Sequence, residues 1–502
     1  MTHAAQTLIP LLLCACAALH AEVALDPIYA DHMVLQQGKP VLIAGTTTRV
    51  DRDITVIFNG KRAKAIIHKD RWLAELPPMQ ASSRPRDLTV EQGADRVKIT
   101  DVLVGEVWLA SGQSNMLFRV DETDNAKDIL AAAGNPLLRV RHSEPRPYLG
   151  KKPFPESELK LLEEGRMFEG QWAVGSPETI KRASAVGYLF ASRLQKALGV
   201  PVGIIDAALG GSEMICWVPE RKLRQEYAQV LDATWRESPF ITPWHQECVV
   251  GNLGENHLSN AHPFQPGYLF RTGVAPWLKM NIAGVIWYQG EADAEIPDAA
   301  QSEKLLADLI QGWRDSSAAP REDLPFIMVQ LPRIKDSSKL RAFWPEFREL
   351  QAKVARTLPN VECVCTIDLG TANANVHPPN KDKVAERLAA RALATVYRKP
   401  VPSHGPQFLK ARVDEEDVYV TFSHAEGLHA ADGKPVRGFE LAGSDGQFSP
   451  ATAVVKGKTV KLTADFVDEP VEVRYNWAVF ADPNLVNRDN LPAEPFRARL
   501  KR

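Results

Sequence analysis

Between residues 102 and 397, short apolar segments alternate with amphipathic ones, and this alternation constrains the fold more than any other feature of the chain. Segments with the length and composition of buried strands occur at residues 102–110, 202–208, 282–288, 326–331 and 361–367. Helical periodicity predicts helices at residues 183–198, 301–313, 347–357 and 383–397. Buried strands that alternate with helices predict an α/β domain with a mostly parallel sheet. Two polar segments, 118–180 and 215–275, are predicted to be insertions that wall a site.

The segments on either side of this domain have a different pattern. Runs such as 54–58 and 418–422 are short and β-rich, and Asn59-Gly60 and Asp445-Gly446 supply turn residues between such runs. We therefore predict β-sandwich domains at residues 22–104 and 403–502, on either side of an α/β domain at 105–402.

Charge and composition exclude some classes of function. The 502 residues carry a formal net charge of −2, so the sequence predicts neither a basic groove for nucleic acid nor a polybasic membrane patch. A near-neutral surface is suited to a neutral or mildly acidic small substrate. The oligomeric state is left open.

The N-terminus is typical of an export signal. Residues 8–19 form an apolar run that is too short to span a bilayer, and Ala21 provides a small residue at a cleavage point. We expect a signal peptide at residues 1–21 and export to the periplasm or the extracellular space, although residues 1–7 lack Lys and Arg. Cys16 follows a stretch that faintly resembles a lipoprotein box, which leaves a lipid anchor as the alternative. We expect no membrane-spanning helix elsewhere.

Four cysteines remain after cleavage: Cys216, Cys248, Cys363 and Cys365. On a strand, Cys363 and Cys365 point to the same face, which makes metal binding conceivable. Since no further Cys or His lies near them at zinc spacing, we interpret them as small buried core residues and predict no metal site.

Residues able to carry chemistry follow the predicted strands at their carboxyl ends. Ser114 follows the first strand, Gly211 the second, and Gln289 and Glu291 the third, while His377 lies in the loop after residues 361–367. Loops at the carboxyl ends of parallel strands converge on the ligand crevice of an open α/β sheet. The sequence therefore predicts that these residues meet at one site.

The residue types indicate ester hydrolysis. A serine hydroxyl becomes a nucleophile when a base takes its proton, and His377 is the candidate base for Ser114. The tetrahedral oxyanion needs donors, for which we predict the N–H groups of Ser114 and Gly211 and the side-chain amide of Gln289. Each residue alone has an ordinary structural explanation, such as a turn glycine or a solvated loop acid at Glu291. The prediction depends on their combination and order.

Several strings in the chain resemble the sialate O-acetylesterases, a branch of the SGNH hydrolases. The strings are Gly105-Glu106-Val107-Trp108 with Ser111-Gly112-Gln113-Ser114-Asn115-Met116, Gly210-Gly211-Ser212 with Trp217, Trp287-Tyr288-Gln289-Gly290-Glu291, and His377-Pro378-Pro379-Asn380-Lys381. Further similarity near residues 31–36 and 484–493 extends the resemblance over nearly the whole mature chain. The resemblance implies an SGNH-type, flavodoxin-like catalytic core at residues 105–402, a Ser–His centre, no metal or other cofactor, and an acetylated carbohydrate as the partner.

One position departs from the pattern of the family. Its members often carry Asp two or three residues before the histidine, where this chain has Asn375 and Ala374. An orienting carboxylate holds the histidine tautomer and stabilises the imidazolium. Three hypotheses remain for His377: Asp368 folds back to it, Asn375 or a backbone carbonyl orients it, or the centre is a weaker Ser–His dyad. An inactive relative is a fourth.

The leading hypothesis for the substrate is O-acetylated sialic acid, and the close alternative is another acetylated glycan such as xylan or pectin. A sialate carboxylate favours an arginine in the pocket, and Arg271 and Arg333 are candidates. A carbohydrate-binding protein with an inactive core is a hypothesis of a different class, which the retained Ser114, Gln289 and His377 disfavour. A peptidase or lipase is disfavoured because no Gly-x-Ser-x-Gly elbow surrounds Ser114.

Overall fold

A computed structural model describes residues 22–147, 150–318, 324–465 and 467–500. The predicted signal peptide at residues 1–21, including Cys16, lies outside these ranges. No helix in the described ranges has the length and apolar character needed to cross a membrane.

The N-terminal part of the chain consists of strands. They are β1 (Val23–Leu25), β2 (Val34–Gln36), β3 (Val41–Thr47), β4 (Ile54–Phe58), β5 (Lys61–Lys64), β6 (Ile66–His68), β7 (Arg71–Leu76) and β8 (Ser82–Gln92). Strands β1, β3, β7 and β6 form one antiparallel sheet, whereas β2 and β8 pair with the next strand, β9 (Asp95–Gly112). The long β9 runs through the predicted domain boundary at residue 104 and carries the chain from the N-terminal strands into the central sheet.

The central sheet confirms the predicted α/β core. Its further strands are β10 (Leu138–Ser143), β11 (Gly170–Val174), β12 (Val202–Ala208), β13 (Gly284–Tyr288), β14 (Phe326–Val329) and β16 (Val361–Val364). The order is β11-β10-β12-β9-β13-β14-β16, and each neighbouring pair is parallel except β10 with β11. A small two-stranded sheet of β15 (Arg333–Ile334) and β17 (Gly370–Thr371) lies outside it.

The prediction that residues 118–180 are an insertion is wrong for β10, which belongs to the central sheet. The charged residues of β10 give it a pattern that does not predict a buried strand. Arg139 forms an ion pair with Asp101, and the Arg141 guanidinium lies over the ring of Trp277 with its carbon 5.1 Å from the ring centroid. Buried charges of this kind are tolerated when they are paired.

Helices cover both faces of the central sheet. They are α1 (Ser114–Leu117), α2 (Ala126–Ala131), α3 (Glu156–Glu163), α4 (Pro177–Ile180), α5 (Ala185–Leu198), α6 (Glu220–Glu226), α7 (Pro243–Leu253), α8 (Ala275–Leu278), α9 (Ala299–Asp315), α10 (Trp344–Thr357) and α11 (Asp382–Thr395). Alternate side chains of β9 point to opposite faces: Trp108 and Ala110 join the core with α5 and α11, whereas Val107 and Leu109 join the core with α9 and α10. Burial on both faces explains why residues 102–112 of β9 lack the polar alternation of its first half.

The C-terminal part of the chain again consists of strands. They are β18 (Gln407–Asp414), β19 (Asp417–Ser423), β20 (His429–Ala430), β21 (Phe439–Ala442), β22 (Phe448–Pro450), β23 (Thr452–Lys456), β24 (Thr459–Thr463), β25 (Glu472–Tyr475), β26 (Leu485–Val486) and β27 (Phe496–Arg499). Two antiparallel sheets, β18-β19-β24-β23 and β22-β21-β25-β27, share one apolar core that includes Phe422, Val460, Phe439 and Tyr475. The four cysteines Cys216, Cys248, Cys363 and Cys365 are free and buried.

Candidate active site

The carboxyl ends of three adjacent strands are level with one another. Gly112, the last residue of β9, is the register partner of Ala208 in β12 and of Tyr288 in β13. The loops that carry Ser114, Gly211 and Gln289 therefore begin at the same edge of the sheet.

Ser114 is the first residue of the short helix α1 and is partly exposed. A Cβ atom placed on Gly210 would lie 3.6 Å from the Cβ of Ser114. The glycine loop and the serine are therefore close neighbours, and the glycine lets the two backbones approach each other.

The serine loop and the loop after β13 are joined by their backbones. The N–H of Gln113 donates to Tyr288 O at 2.9 Å, and the Gln113 side-chain oxygen accepts from the N–H groups of Gly290 and Ala292 at 3.2 and 3.3 Å. Gly112 has φ +137°, and a Cβ there would lie 2.1 Å from Tyr288 O. Only glycine fits this crossing, which sets the direction in which the chain approaches Ser114.

Asn115 connects the serine to the histidine loop. Its Nδ2 donates to Val376 O at 2.9 Å and to Glu291 Oε1 at 2.5 Å, while its Oδ1 accepts from Lys381 Nζ at 2.6 Å. Asn115 is fully buried. The residue after the serine is thus bonded to the residue before His377.

His377 is half-buried, with its ring centroid 6.2 Å from that of Phe118 at the end of α1. Its Nε2 is buried and has no hydrogen-bond partner among the described residues. Burial lowers the pKa of the ring, and the nearby charge of Lys381 lowers it further. The ring is therefore neutral near pH 7, as a general base requires.

The two side chains proposed as orienters of the ring have other partners. Asp368 forms a bidentate ion pair with Arg387, with both N–O distances 2.6 Å. The Asn375 side-chain oxygen accepts from the backbone N–H of His377 at 3.0 Å. This hydrogen bond holds the backbone of the histidine loop and does not orient the ring.

Gln289 is buried beside the glycine loop. Its Nε2 donates to Ser212 O at 3.2 Å and also to the carboxylate of Asp293, and its Oε1 has no partner among the described residues. The amide therefore supports the glycine loop, a role that the sequence did not predict. Its predicted role as an oxyanion donor stays a prediction.

Comparisons with known proteins give the site its context. A family model described as a carbohydrate esterase, sialic acid-specific acetylesterase, matches residues 269–396. The sialate O-acetylesterase of Homo sapiens is 26% identical over 394 residues, which cover 74% of this chain and 68% of that protein. That of Rattus norvegicus is 26% identical over 493 residues and covers 86% of this chain and 84% of that protein.

A solved structure extends the similarity to the whole fold. The crystal structure of a carbohydrate acetylesterase from Xanthomonas citri is 30% identical, has a TM-score of 0.79, and covers 95% of this chain and 99% of that chain. The chain belongs to the sialate O-acetylesterase family. The enzyme is therefore an esterase of the carbohydrate acetylesterase type.

In this esterase, the buried side chains of Glu291 and Lys381 both bind Asn115. Burial raises the pKa of Glu291 and lowers that of Lys381 to about 7. The Lys381 ammonium lies 4.5 Å from the centroid of the Phe118 ring, and a cavity of about 390 Å³ borders it beside the histidine loop. Lys381 lies in one of the strings that resemble the family, but nothing in the sequence predicts its contact with Asn115.

Arg271 and Arg333, the two arginines expected to be candidates for binding a sialate carboxylate, have other contacts in the esterase. The Arg271 guanidinium lies 5.1 Å from the ring centroid of Tyr268. Arg333 donates to Ala481 O at 3.2 Å and lies over the ring of Phe480. Neither contact suggests that the arginine binds the substrate.

Proposed function

We propose that the enzyme hydrolyses acetyl esters on sugar hydroxyls, with O-acetylated sialic acid as substrate, through an acetyl-enzyme on Ser114. His377 takes the proton of the Ser114 hydroxyl as its oxygen attacks the acetyl carbonyl. The C–O bond to the sugar then breaks, and His377 returns the proton to the departing sugar oxygen. Water, deprotonated by the same ring, releases acetate and restores the serine.

The observation that carries this proposal is the bond from Asn115 Nδ2 to Val376 O, at 2.9 Å. It joins the chain neighbours of Ser114 and His377. Nε2 of His377, which has no hydrogen-bond partner in the part of the chain that the structure describes, is available to accept a proton. We propose the N–H groups of Ser114 and Gly211 as oxyanion donors. We also propose the amide of Gln289, which would exchange one of its two present acceptors, Ser212 O or the Asp293 carboxylate, for the oxyanion.

With Asp368 bound to Arg387, we propose that the centre works as a Ser–His dyad. The histidine loop is then held by its backbone, through Asn115 and Asn375. The neutral ring can serve as the base, and no carboxylate of the described residues is hydrogen-bonded to it. The imidazolium formed during attack is then stabilised by the charge of Glu122, which raises the pKa of the ring against the larger effect of burial.

We also propose that the chain is exported after cleavage at Ala21, and that its units are an N-terminal β-sandwich at residues 22–104, a catalytic domain at 105–402 and a C-terminal β-sandwich at 403–502. The shared core of the two C-terminal sheets supports the last of these.

The substrate is tested by acetate release across a panel of acetylated sialosides, xylans and pectins at equal acetyl concentration. We expect the highest kcat/KM on the sialosides. A higher kcat/KM on xylan or pectin would reassign the substrate, and no release from any member of the panel, together with no labelling by a serine-reactive phosphonate, would favour a binding protein.

A further inference from the structure

A second buried histidine–carboxylate pair lies beside the glycine loop. Glu213 is fully buried and His245 is 4% exposed. His245 Nδ1 lies 2.5 Å from Glu213 Oε1. Because a carboxylate only accepts, this nitrogen is the donor. The pair was not predicted, since 32 residues separate its members in the chain.

The second nitrogen of this ring, Nε2, faces the glycine predicted to bind the oxyanion. Both hydrogen bonds of the ring, to Glu213 and to Thr242 Oγ1, use Nδ1. A Cβ placed on Gly211 would lie 2.8 Å from His245 Nε2. The imidazole therefore packs directly against the backbone of Gly211, which has φ +76°.

The other end of the pair fixes the same loop to a helix. Glu213 follows Gly211 by two residues, and its Oε1 also accepts from the N–H of Thr242 at 2.9 Å. Thr242 is the N-cap residue of α7. The ring itself is held between Phe264 and Trp244, with centroids 4.2 and 4.8 Å away.

The pair also balances charge next to the predicted oxyanion donors. Burial raises the pKa of Asp293 to about 8, and the charge of Glu213 adds to the rise. Asp293 accepts from Gln289, so Glu213 acts electrostatically on a group that is bonded to a predicted oxyanion donor. A carboxylate there without a cationic or N–H partner would oppose the charge that develops on the oxyanion.

We propose that Glu213 and His245 form a positioning pair for the oxyanion glycine, Gly211. This inference rests on the proposed function of the Ser114 site. His245 packs against Gly211, and Glu213 ties the end of its loop to α7, so that the Gly211 N–H stays at its place. The hydrogen bond from His245 also offsets the charge of the Glu213 carboxylate. A displacement of about 1 Å at such a donor costs on the order of 10²-fold in rate.

The test compares His245→Gln, Glu213→Gln and the double variant with p-nitrophenyl acetate as substrate. Active sites are counted by phosphonate titration, so that kcat refers only to folded enzyme. We expect kcat of His245→Gln to fall about 10²-fold, with KM within threefold, because the pair does not touch the substrate. We expect Glu213→Gln, which keeps an acceptor for Thr242, to lose less than tenfold.

The double variant separates charge balance from a purely structural role. We expect kcat of the double variant to be at least tenfold higher than kcat of His245→Gln, because the carboxylate is removed together with the imidazole that offsets its charge. The control is His404→Gln, since His404 lies 3.4 Å from Glu362 at the amino end of β16, away from the site edge of the sheet. We expect its kcat to be unchanged.

Two results would overturn the inference: a kcat of His245→Gln within threefold of the wild type, or a double variant no faster than His245→Gln. The proposed function fails separately, if phosphonate does not label Ser114 in the wild type.

Discussion

At the scale of single residues, the environment of His377 differs from that of a histidine in a catalytic triad. Burial and the charge of Lys381 both lower the pKa of the ring, so the base form prevails near neutral pH. An aspartate partner would raise the pKa and stabilise the imidazolium. This site instead favours the free base, and the backbone contacts of Asn375 and Asn115 hold its loop.

This electrostatic coupling predicts a pH effect for Lys381→Met. The acid limb of kcat/KM reports the pKa of the base in the free enzyme. In the wild type we expect its midpoint below the ordinary value of 6.5, where Lys381, with a pKa of about 7, is charged. Removing that charge raises the pKa of His377, so the acid limb moves to higher pH.

The control Lys383→Met removes an exposed lysine two residues away and should leave the acid limb in place. An unshifted acid limb in Lys381→Met would contradict the coupling.

For Gln289→Ala we expect kcat to fall by roughly 10²–10³ with a small change in KM, the usual cost of one oxyanion donor. The variant also leaves Ser212 O and Asp293 without the amide hydrogens they accept. The measurement is steady-state hydrolysis of p-nitrophenyl acetate. Gln195→Ala on α5 serves as the control, and an unchanged kcat in Gln289→Ala would show that the amide neither donates to the oxyanion nor holds the loop in a way that matters.

At the scale of elements, the site is assembled from loops that carry few regular hydrogen bonds of their own. Asn115 holds the serine loop, the loop after β13 and the histidine loop together through its contacts with Glu291, Val376 and Lys381. The glycine loop is fixed from within, because Ser212 Oγ donates to Leu209 O and accepts from Trp217 Nε1, both at 2.9 Å.

We therefore predict that Asn115→Ala separates these loops. The variant leaves a buried lysine and a buried glutamate without their common partner, so kcat should fall about 10–10²-fold. Rates per phosphonate-titrated site measure this effect. Asn135→Ala, which removes a contact with Gln195 on α5, is the matched control. Equal rates for Asn115→Ala and the wild type would show that the contacts of Asn115 are not needed to hold the loops in place.

The alternation of apolar strands and amphipathic helices was enough to predict the core elements. Their ends could be predicted where a capping residue lies next to the helix in the sequence. Helix α9 begins near its predicted start because the side chain of Asp298 accepts from the N–H of Gln301. Strand β12 lies at its predicted residues, since it is buried throughout and apolar except for Asp206. Strand β10 was missed because its buried arginines depend on partners distant in the sequence.

The same reasoning separates the parts of the site that were predicted from those that were not. Ser114, Gly211, Gln289 and His377 each follow a strand, so topology brings them to one edge. The partners of these residues depend on tertiary contacts: Asp368 pairs with Arg387 and Glu213 with His245, and neither pairing has a signature in the sequence.

At the scale of the whole molecule, Arg348 links the α/β core to the C-terminal strands. It is fully buried on α10 and donates to Leu331 O and Pro332 O on one side, and to Ala478 O and Val479 O on the other, at 2.6–3.0 Å. The C-terminal segment is thereby bound to the loop after β14, close to the edge of the sheet that carries the site.

Arg348→Met should lower the free energy of unfolding by about 3 kcal/mol or more, because two buried and two partly buried carbonyls lose a charged donor. Urea denaturation measures the loss. Arg412→Met removes an exposed arginine paired with Asp414 and should change stability by less than about 1 kcal/mol. Equal stabilities of the two variants would mean that the C-terminal strands do not depend on this link.

The most direct test is to identify the residue that reacts with a serine-directed phosphonate, by mass spectrometry of the intact protein and of its peptides. The account predicts one phosphonyl group per chain, on Ser114. It also predicts that Ser114→Ala takes up none and loses at least about 10³-fold in acetate release while remaining folded. Labelling at another serine, or undiminished acetate release by Ser114→Ala, would contradict it.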